Sequence, residues 1–223
     1  MDDDGSKSLS GRRAEAARND QLIRDAAREV FMADPDAPIS AVAERAGVGI
    51  GALYRRYSSK EDLLQHLAAE NLRRYLEVVE AALADDRDPA VVFREFMRRS
   101  LDAGAHSLTA RLAGRYPPTE ELRRDGRRAY LATRELLERT VAAGALRPDI
   151  DVGDISLLFE QLQLIRFVDP RRTHELRHRY LTLLLDGLMT PSPSPLPGPS
   201  PSWDELRGRY EPKDEPATRG SSG

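Results

Sequence analysis

Ile39-Ser40-Ala41-Val42-Ala43-Glu44-Arg45-Ala46-Gly47-Val48-Gly49-Ile50-Gly51-Ala52-Leu53-Tyr54-Arg55-Arg56-Tyr57 decides how this chain is read. It holds two short helical stretches with Gly47-Val48 between them. Gly47 stands where a helix wants a left-handed cap residue. A major groove about 12 Å wide admits one helix, and a second must brace it so that a few side chains reach base edges. Ala41–Ala46 has the length of such a brace, and Gly49–Tyr57 that of the reader. Val42, Ala46, Val48 and Leu53 supply a small apolar interface. Gly51, Ala52, Arg55 and Arg56 then fall on the outer surface, where small residues admit close backbone approach. Tyr54 and Arg55 offer an aromatic ring and a bidentate donor.

Outward from this stretch the chain reads as helix throughout. Leu22, Ala26 and Val30, flanked by Ile23, Ala27 and Phe31, form one apolar stripe on a helix of about Ala16–Ala33. Pro35 and Pro38 end it. Ser58-Ser59-Lys60-Glu61-Asp62 offers two overlapping capping boxes, Ser58 with Glu61 or Ser59 with Asp62, ahead of an apolar-periodic run from Leu63 to Leu83. Asp88-Pro89 opens a helix expected to reach about Gly114. Thr119 opens another, ended by Gly144, and Asp154–Val168 and Arg172–Met189 follow. No segment alternates like a strand bounded by hairpin turns, so the class is all-α.

From Thr190 the composition turns to Pro and Ser, with 8 of the 15 prolines in the last 34 residues. Such a stretch reads as an extended tail. The single tryptophan, Trp203, lies in it and is a candidate to dock back on the body.

Composition narrows the function classes. The chain has 223 residues, 40% hydrophobic and 32% charged, and no cysteine, which leaves no thiolate nucleophile, disulfide or cysteine-ligated zinc. Met1–Gly11 has no apolar signal region, so a cytoplasmic protein with no membrane partner is expected. The net charge of −3 is unevenly spread, because residues 7–75 hold 12 Lys and Arg against 10 Asp and Glu. Arg55, Arg56 and Lys60 sit in an acid-free window, and local charges within about 10 Å of phosphate matter more than the total. Arg12 and Arg13 upstream read as a minor-groove arm or as part of a solvated tail.

The run from Ile39 to Leu64, above all Ala46-Gly47-Val48, Leu53-Tyr54 and Ser59-Lys60-Glu61, resembles the DNA-binding domain of the tetracycline-repressor (TetR) family, over about residues 16–75. The resemblance implies a homodimeric repressor on a palindromic double-stranded operator, whose C-terminal domain binds a small molecule and spreads the reading heads. It places DNA contacts on Ser40, Gly49, Ile50, Gly51, Ala52, Tyr54, Arg55, Arg56 and Lys60. Together with the helix pattern and the composition, it divides the chain into a flexible arm over 1–15, the DNA-binding domain over 16–75, an effector-binding and dimerisation bundle over 76–190, about nine helices in all, and the Pro-rich tail over 191–223. Two positions depart from the family's pattern. Pro38 stands two residues before Ser40 where a hydroxyl cap is common, and Gly49 stands for the usual serine or threonine.

Helices Pro89–Gly114, Thr119–Ala143 and Asp154–Val168 are expected to enclose a cavity. Its candidate polar wall is His106, Arg111, Arg115, Tyr116, Gln161, Gln163 and Arg166. The apolar faces of Ile155, Leu158, Leu162 and Ile165 and of Tyr180, Leu181, Leu184, Leu185 and Leu188 exceed what one layer covers, which points to a four-helix dimer interface.

A rival motif is His174-Glu175-Leu176-Arg177-His178, a literal H-E-x-x-H, which in a zinc peptidase pairs two histidine ligands with a general base. Arg171, Arg172, Arg177 and Arg179 surround it, and Asp186 on the same helix makes a poor third ligand. No metal, cofactor or catalytic residue is therefore expected. The alternatives to a ligand-released repressor are this metallopeptidase and a DNA-binding dimer with no ligand response.

Overall fold

The computed structural model describes the backbone of residues 4–104, 112, 114–190 and 193–209, with side chains from residue 18 onward. The described residues are all-helical: α1 (Asp4–Ala33), α2 (Ile39–Ala46), α3 (Ile50–Arg56), α4 (Lys60–Leu83), α5 (Pro89–Ala103), α6 (Glu120–Ala142), α7 (Val152–Leu164), α8 (Pro170–Leu188) and α9 (Trp203–Gly208).

Local chemistry sets most of the boundaries. Gly47 closes α2 at φ 67°, a conformation that costs glycine little and other residues more. Ser59 Oγ accepts from the Asp62 amide at 3.1 Å. The Asp62 carboxylate reaches back one residue further than a simple capping box, to the Ser58 amide at 2.7 Å and its hydroxyl at 2.9 Å. These bonds hold the Asp62 carboxyl below its ordinary value, the Ser58 amide contributing most. Asp88 accepts from the amides of Ala90 and Val91, with Pro89 in the first turn of α5.

Two ends differ from the sequence reading. The first helix begins at Asp4 rather than near Ala16, so it takes in most of the stretch read as a flexible arm. Arg12 and Arg13 lie on it, and their side chains are outside the described residues. The helix from Pro89 stops at Ala103, because Gly104 enters the left-handed region at φ 63° and caps it. The apolar residues that followed had masked that stop.

Two apolar clusters organise the chain. One joins Ile23, Ala27 and Phe31 of α1 to Val42, Leu53, Tyr57 and the first half of α4, namely Leu63, Leu64 and Leu67. The other gathers Tyr75, Leu76 and Val79 from the second half of α4 with the inner faces of α5 to α8, including Phe93, Phe96, Leu136, Phe159 and Leu185. The 24 residues of α4 form a rod about 36 Å long at 1.5 Å per residue. It belongs to both cores, so a shift at one end is felt at the other.

Leu112 and Tyr116 lie far along the chain yet are buried in the first cluster. The segment that carries them is bound to the head at two more points. Arg115 pairs with Asp36 at 3.0 Å, and Gln65 Nε2 donates to the Pro117 carbonyl at 2.7 Å.

The described part of the Pro-rich tail is docked on the body. Arg147 donates to the Ser194 carbonyl at 2.5 Å, and Arg209 makes a two-pronged bridge to Glu160 at 3.1 and 2.7 Å. A capping box between Ser202 and Glu205 starts α9. Its Leu206 is only 5% exposed, a burial that contributes about 2 kcal/mol.

Candidate nucleic-acid interface and effector cavity

The reader helix α3 is held from behind. Val42 and Leu53 are completely buried, and Ala46 and Val48 pack against the same core. That anchoring leaves Gly49, Ile50, Gly51, Tyr54, Arg55 and Arg56 exposed together on one surface, with Ser40 of α2 also exposed and Ala52 half-buried. Ile50 and Tyr54 are 43% and 51% exposed, which is costly for large apolar groups unless something covers them. Neither Pro38 nor Gly49 makes a side-chain cap bond. The front amides of α2 and α3 are therefore without a side-chain cap, and backbone amides at helix starts suit phosphate oxygens.

The cations of this surface are not equivalent. Arg55 has no carboxylate partner among the described residues and is available to an incoming anion. Arg56 Nε is engaged by Asp20 at 2.8 Å. Lys60 is turned inward, donating to the carbonyls of Pro35 and Ala37 at 3.2 and 2.8 Å with Phe31 5.2 Å away. In this arrangement Lys60 braces the turn between α1 and α2.

A cavity of about 220 Å³ opens where the body meets the head. Ala68, Leu72 and Tyr75 of α4 form one wall, and Leu122, Gly126, Tyr130 and Thr133 of α6 form another. Tyr116, which also belongs to the head's core, and Pro118 line it, as do Trp203, Leu206 and Arg207 of the tail. The wall is overwhelmingly apolar. Its polar feature is a buried chain in which Thr133 Oγ1 donates to the Ala129 carbonyl at 2.8 Å, so the 2.7 Å contact with Tyr75 has the tyrosine as donor. Burial pushes the Tyr75 and Tyr116 hydroxyls up to about 12, keeping both neutral at physiological pH.

Of the seven polar wall candidates, the structure brings Tyr116 to the cavity. Arg115 faces Asp36 instead. Gln163 is buried and donates to the Leu101 carbonyl at 3.3 Å, tying α7 to α5. Gln161 is exposed, and Arg166 reaches the Met32 carbonyl of α1 at 3.2 Å. His106 and Arg111 lie outside the described residues. The cavity also sits elsewhere than expected, since α4 and the tail replace α5 in its wall. Tyr75, Tyr130 and Thr133 look in sequence like ordinary positions on long helices, whereas Trp203, a candidate to dock back on the body, does so and lines the cavity.

The nine apolar residues assigned to a dimer face divide in three. Ile155, Leu162, Leu181, Leu185 and Leu188 are buried within the chain's own core, Leu158, Ile165 and Leu184 are half-buried, and Tyr180 stays 48% exposed. The same two helices and the turn between them expose others: Leu164 at 69%, Phe167 at 57%, Val168 fully and Leu183 at 58%.

The H-E-x-x-H helix lacks the hydrolytic arrangement. Glu175 is paired with Arg172 at 3.0 Å, and His174 is 67% exposed, so there is neither a free general base nor a dry cleft.

Residues 23–67 match bacterial regulatory proteins of the tetR family, and residues 88–190 match the C-terminal domain of SbtR-like transcriptional regulators. The chain belongs to the TetR family. Over 58 residues it is 45% identical to an uncharacterized HTH-type transcriptional regulator, TtgW of Pseudomonas putida, a match that covers 25% of this chain and 43% of that relative. Two solved TetR regulators align across most of their length. SCO0520 from Streptomyces coelicolor is 27% identical, with 77% of this chain and 99% of that one covered and a TM-score of 0.52. The regulator from Mycobacterium vanbaalenii is 28% identical, with 80% and 99% covered and a TM-score of 0.51. The fold is also that of LfrR from Mycobacterium smegmatis, solved in complex with proflavine, at 22% identity, 81% and 99% coverage and a TM-score of 0.56. TetR membership agrees with the resemblance seen in the Ile39–Leu64 run, and among the described residues no helix is long and apolar enough to cross a membrane.

Proposed function

We propose that this TetR-family chain is a ligand-released transcriptional repressor, with a DNA-binding head over 16–75 and an effector-binding, dimerising body over 76–190. The head binds a palindromic operator through Ser40, the exposed edge of α3 and Arg55. The observation that carries the ligand response is the double position of Tyr116. Its ring belongs to the apolar core of the head and also lines the cavity. A molecule that fills the cavity pushes on a side chain that the reader's own core is built around.

The chemistry of the wall selects the effector class. An apolar cavity of about 220 Å³ with neutral tyrosine hydroxyls and Arg207 at its rim suits a mostly apolar, flat molecule with one hydrogen-bonding or anionic end. LfrR, which shares the fold, forms a complex with proflavine. Occupancy favours a conformation whose two readers are wrongly spaced for successive major grooves.

Dimerisation uses Leu164, Phe167, Val168, Tyr180 and Leu183, whose exposure exceeds what an isolated chain keeps in contact with water. Light scattering at micromolar concentration tests it, and a monomer there refutes it. The ligand response is tested by screening apolar acids and amphiphiles for release of a bound operator. A Tyr116→Ala chain that still binds operator, but is no longer released by the ligand that frees the unaltered chain, supports the account. A DNA-binding dimer without ligand response is the reading that remains if no cavity-binding molecule changes operator affinity.

A further inference from the structure

Two histidines one turn apart on α8 converge with a carboxylate from a different helix. Asp102 of α5 places Oδ1 2.7 Å from His178 Nε2 and 3.7 Å from His174 Nδ1. One ligand atom from each of the three lies within 4.8 Å of the other two, and the imidazole centroids are 4.4 Å apart. The sequence alone offered only Asp186, on the histidines' own helix, as a third ligand. The fold supplies Asp102 from across the bundle.

We propose that Asp102, His174 and His178 form a binding site for a borderline-soft divalent cation, with Zn²⁺ the best fit, that bridges α5 to α8. Two imidazoles and one carboxylate on a helix pair are a donor set that suits zinc. A tetrahedral ion with bonds of about 2.1 Å holds its donor atoms about 3.4 Å apart. The present separations of 2.7 and 3.7 Å straddle that value, and half-exposed side chains have room for the torsional adjustment.

The arginines that would repel a cation are partly accounted for. Arg172 is bound to Glu175, and Arg177 donates to the Ile165 and Gln163 carbonyls at 3.1 and 3.0 Å. The fourth coordination position is left to water. With Glu175 turned to Arg172, the ion is structural or regulatory rather than hydrolytic. It would fix the last turn of α5 beside Gly104, and any ion that binds only the folded chain stabilises it by mass action.

The site is independent of the proposed dimer face. At about 100° per residue, Tyr180 and Leu183 stand roughly 120° to 180° around α8 from the histidine pair.

The test is isothermal titration of Zn²⁺ into the metal-stripped full chain carrying no histidine tag. One ion per chain is expected, with His174→Ala, His178→Ala and Asp102→Asn each weakening binding at least about tenfold. His66→Ala, which removes a histidine outside the cluster, held by Asp62 and the Tyr57 ring, should leave binding unchanged. No saturable binding, binding unaffected in the His174→Ala/His178→Ala double variant, or equal loss in His66→Ala overturns the proposal. Co²⁺ added to the unaltered chain guards against misfolded variants. A visible absorption band abolished by one equivalent of Zn²⁺ supports the site, and a spectrum no different from that of aqueous Co²⁺ refutes it.

Discussion

Arg115 holds Asp36 in a two-pronged grip, Nε to Oδ1 at 3.0 Å and Nη2 to Oδ2 at 3.1 Å, across 79 positions of chain. Planar guanidinium and planar carboxylate match in this geometry, so the pair fixes orientation as well as distance. It fastens the segment bearing Tyr116 to the turn that Lys60 braces, directly ahead of α2. Removing it with Arg115→Ala should leave the fold intact, since exposed pairs contribute little to stability. The expected effect is local: amide hydrogen exchange at Asp36, Ala37 and Ile39 speeds up while α6 is unchanged. Uniform exchange rates in variant and unaltered chain would show that the grip restrains nothing.

The same grip carries a pH dependence. Hydrogen bonding from Arg115 holds the Asp36 carboxyl below its usual range. A carboxyl lowered in the folded state binds its proton less readily than in the unfolded chain. Its contribution is therefore present at neutral pH and disappears as pH falls through the acidic range. Asp85 and Asp149 follow the same sign more strongly, lowered to about 2 by Arg87 and Arg147 respectively. Urea melts should show stability declining as pH drops from about 4 towards 2. In an Asp85→Asn/Asp149→Asn chain stability should be lower at neutral pH, with a shallower acid decline. An identical acid profile for the two chains would contradict the assignment.

Tyr54→Ala and Arg55→Ala should each weaken specific operator binding while melting like the unaltered chain, because both side chains are exposed. For Arg55 a loss of about 1–3 kcal/mol is expected, together with relaxed discrimination at one base position if it reads guanine, or a shallower salt dependence if it holds phosphate. Fluorescence anisotropy across a salt series separates the two. Leu53→Ala is the contrasting change. Leu53 is completely buried, so truncation should cost about 2–5 kcal/mol of stability.

A substitution at a residue outside the cavity's lining can lift the tail. Gly153 packs against the Pro201 carbonyl so closely that a β-carbon there must collide with backbone. Gly153→Ala should displace the segment that leads into α9. Trp203 is the chain's single tryptophan and rests on Tyr130, with ring centroids 4.9 Å apart. Its emission should shift to the red in that variant as the indole becomes hydrated. Unchanged emission would mean that the tail accommodates the methyl and does not lift.

The helix-turn-helix was legible in the sequence because local rules govern it. Gly47 stops α2, Val42 and Ala46 stand one helical turn apart on it, and Ser59 starts α4. The cavity was not legible, because it depends on which helices meet. Tyr116 reads as a polar wall candidate yet is shared with the head's core, and Trp203 reads as a candidate to dock on the body but with no sign of which helices it would meet. Gly104 ended α5 early, although the apolar pattern runs on. Asp102 joined His174 and His178 only through the packing of α5 on α8, a pairing that no spacing rule predicts. The dimer face split for the same reason. Leu181 and Leu185 were needed by the chain's own core, leaving Tyr180 and Leu183 outside.

If α3 reads a two-fold symmetric DNA site, selection of binding sites from random duplex DNA by the full chain should enrich an imperfect palindrome whose half-sites lie about 34–36 Å apart, or a multiple of that spacing. The Arg55→Ala chain should enrich it less. Enrichment of an asymmetric sequence, no enrichment at all, or the same palindrome enriched as strongly by Arg55→Ala would contradict that reading.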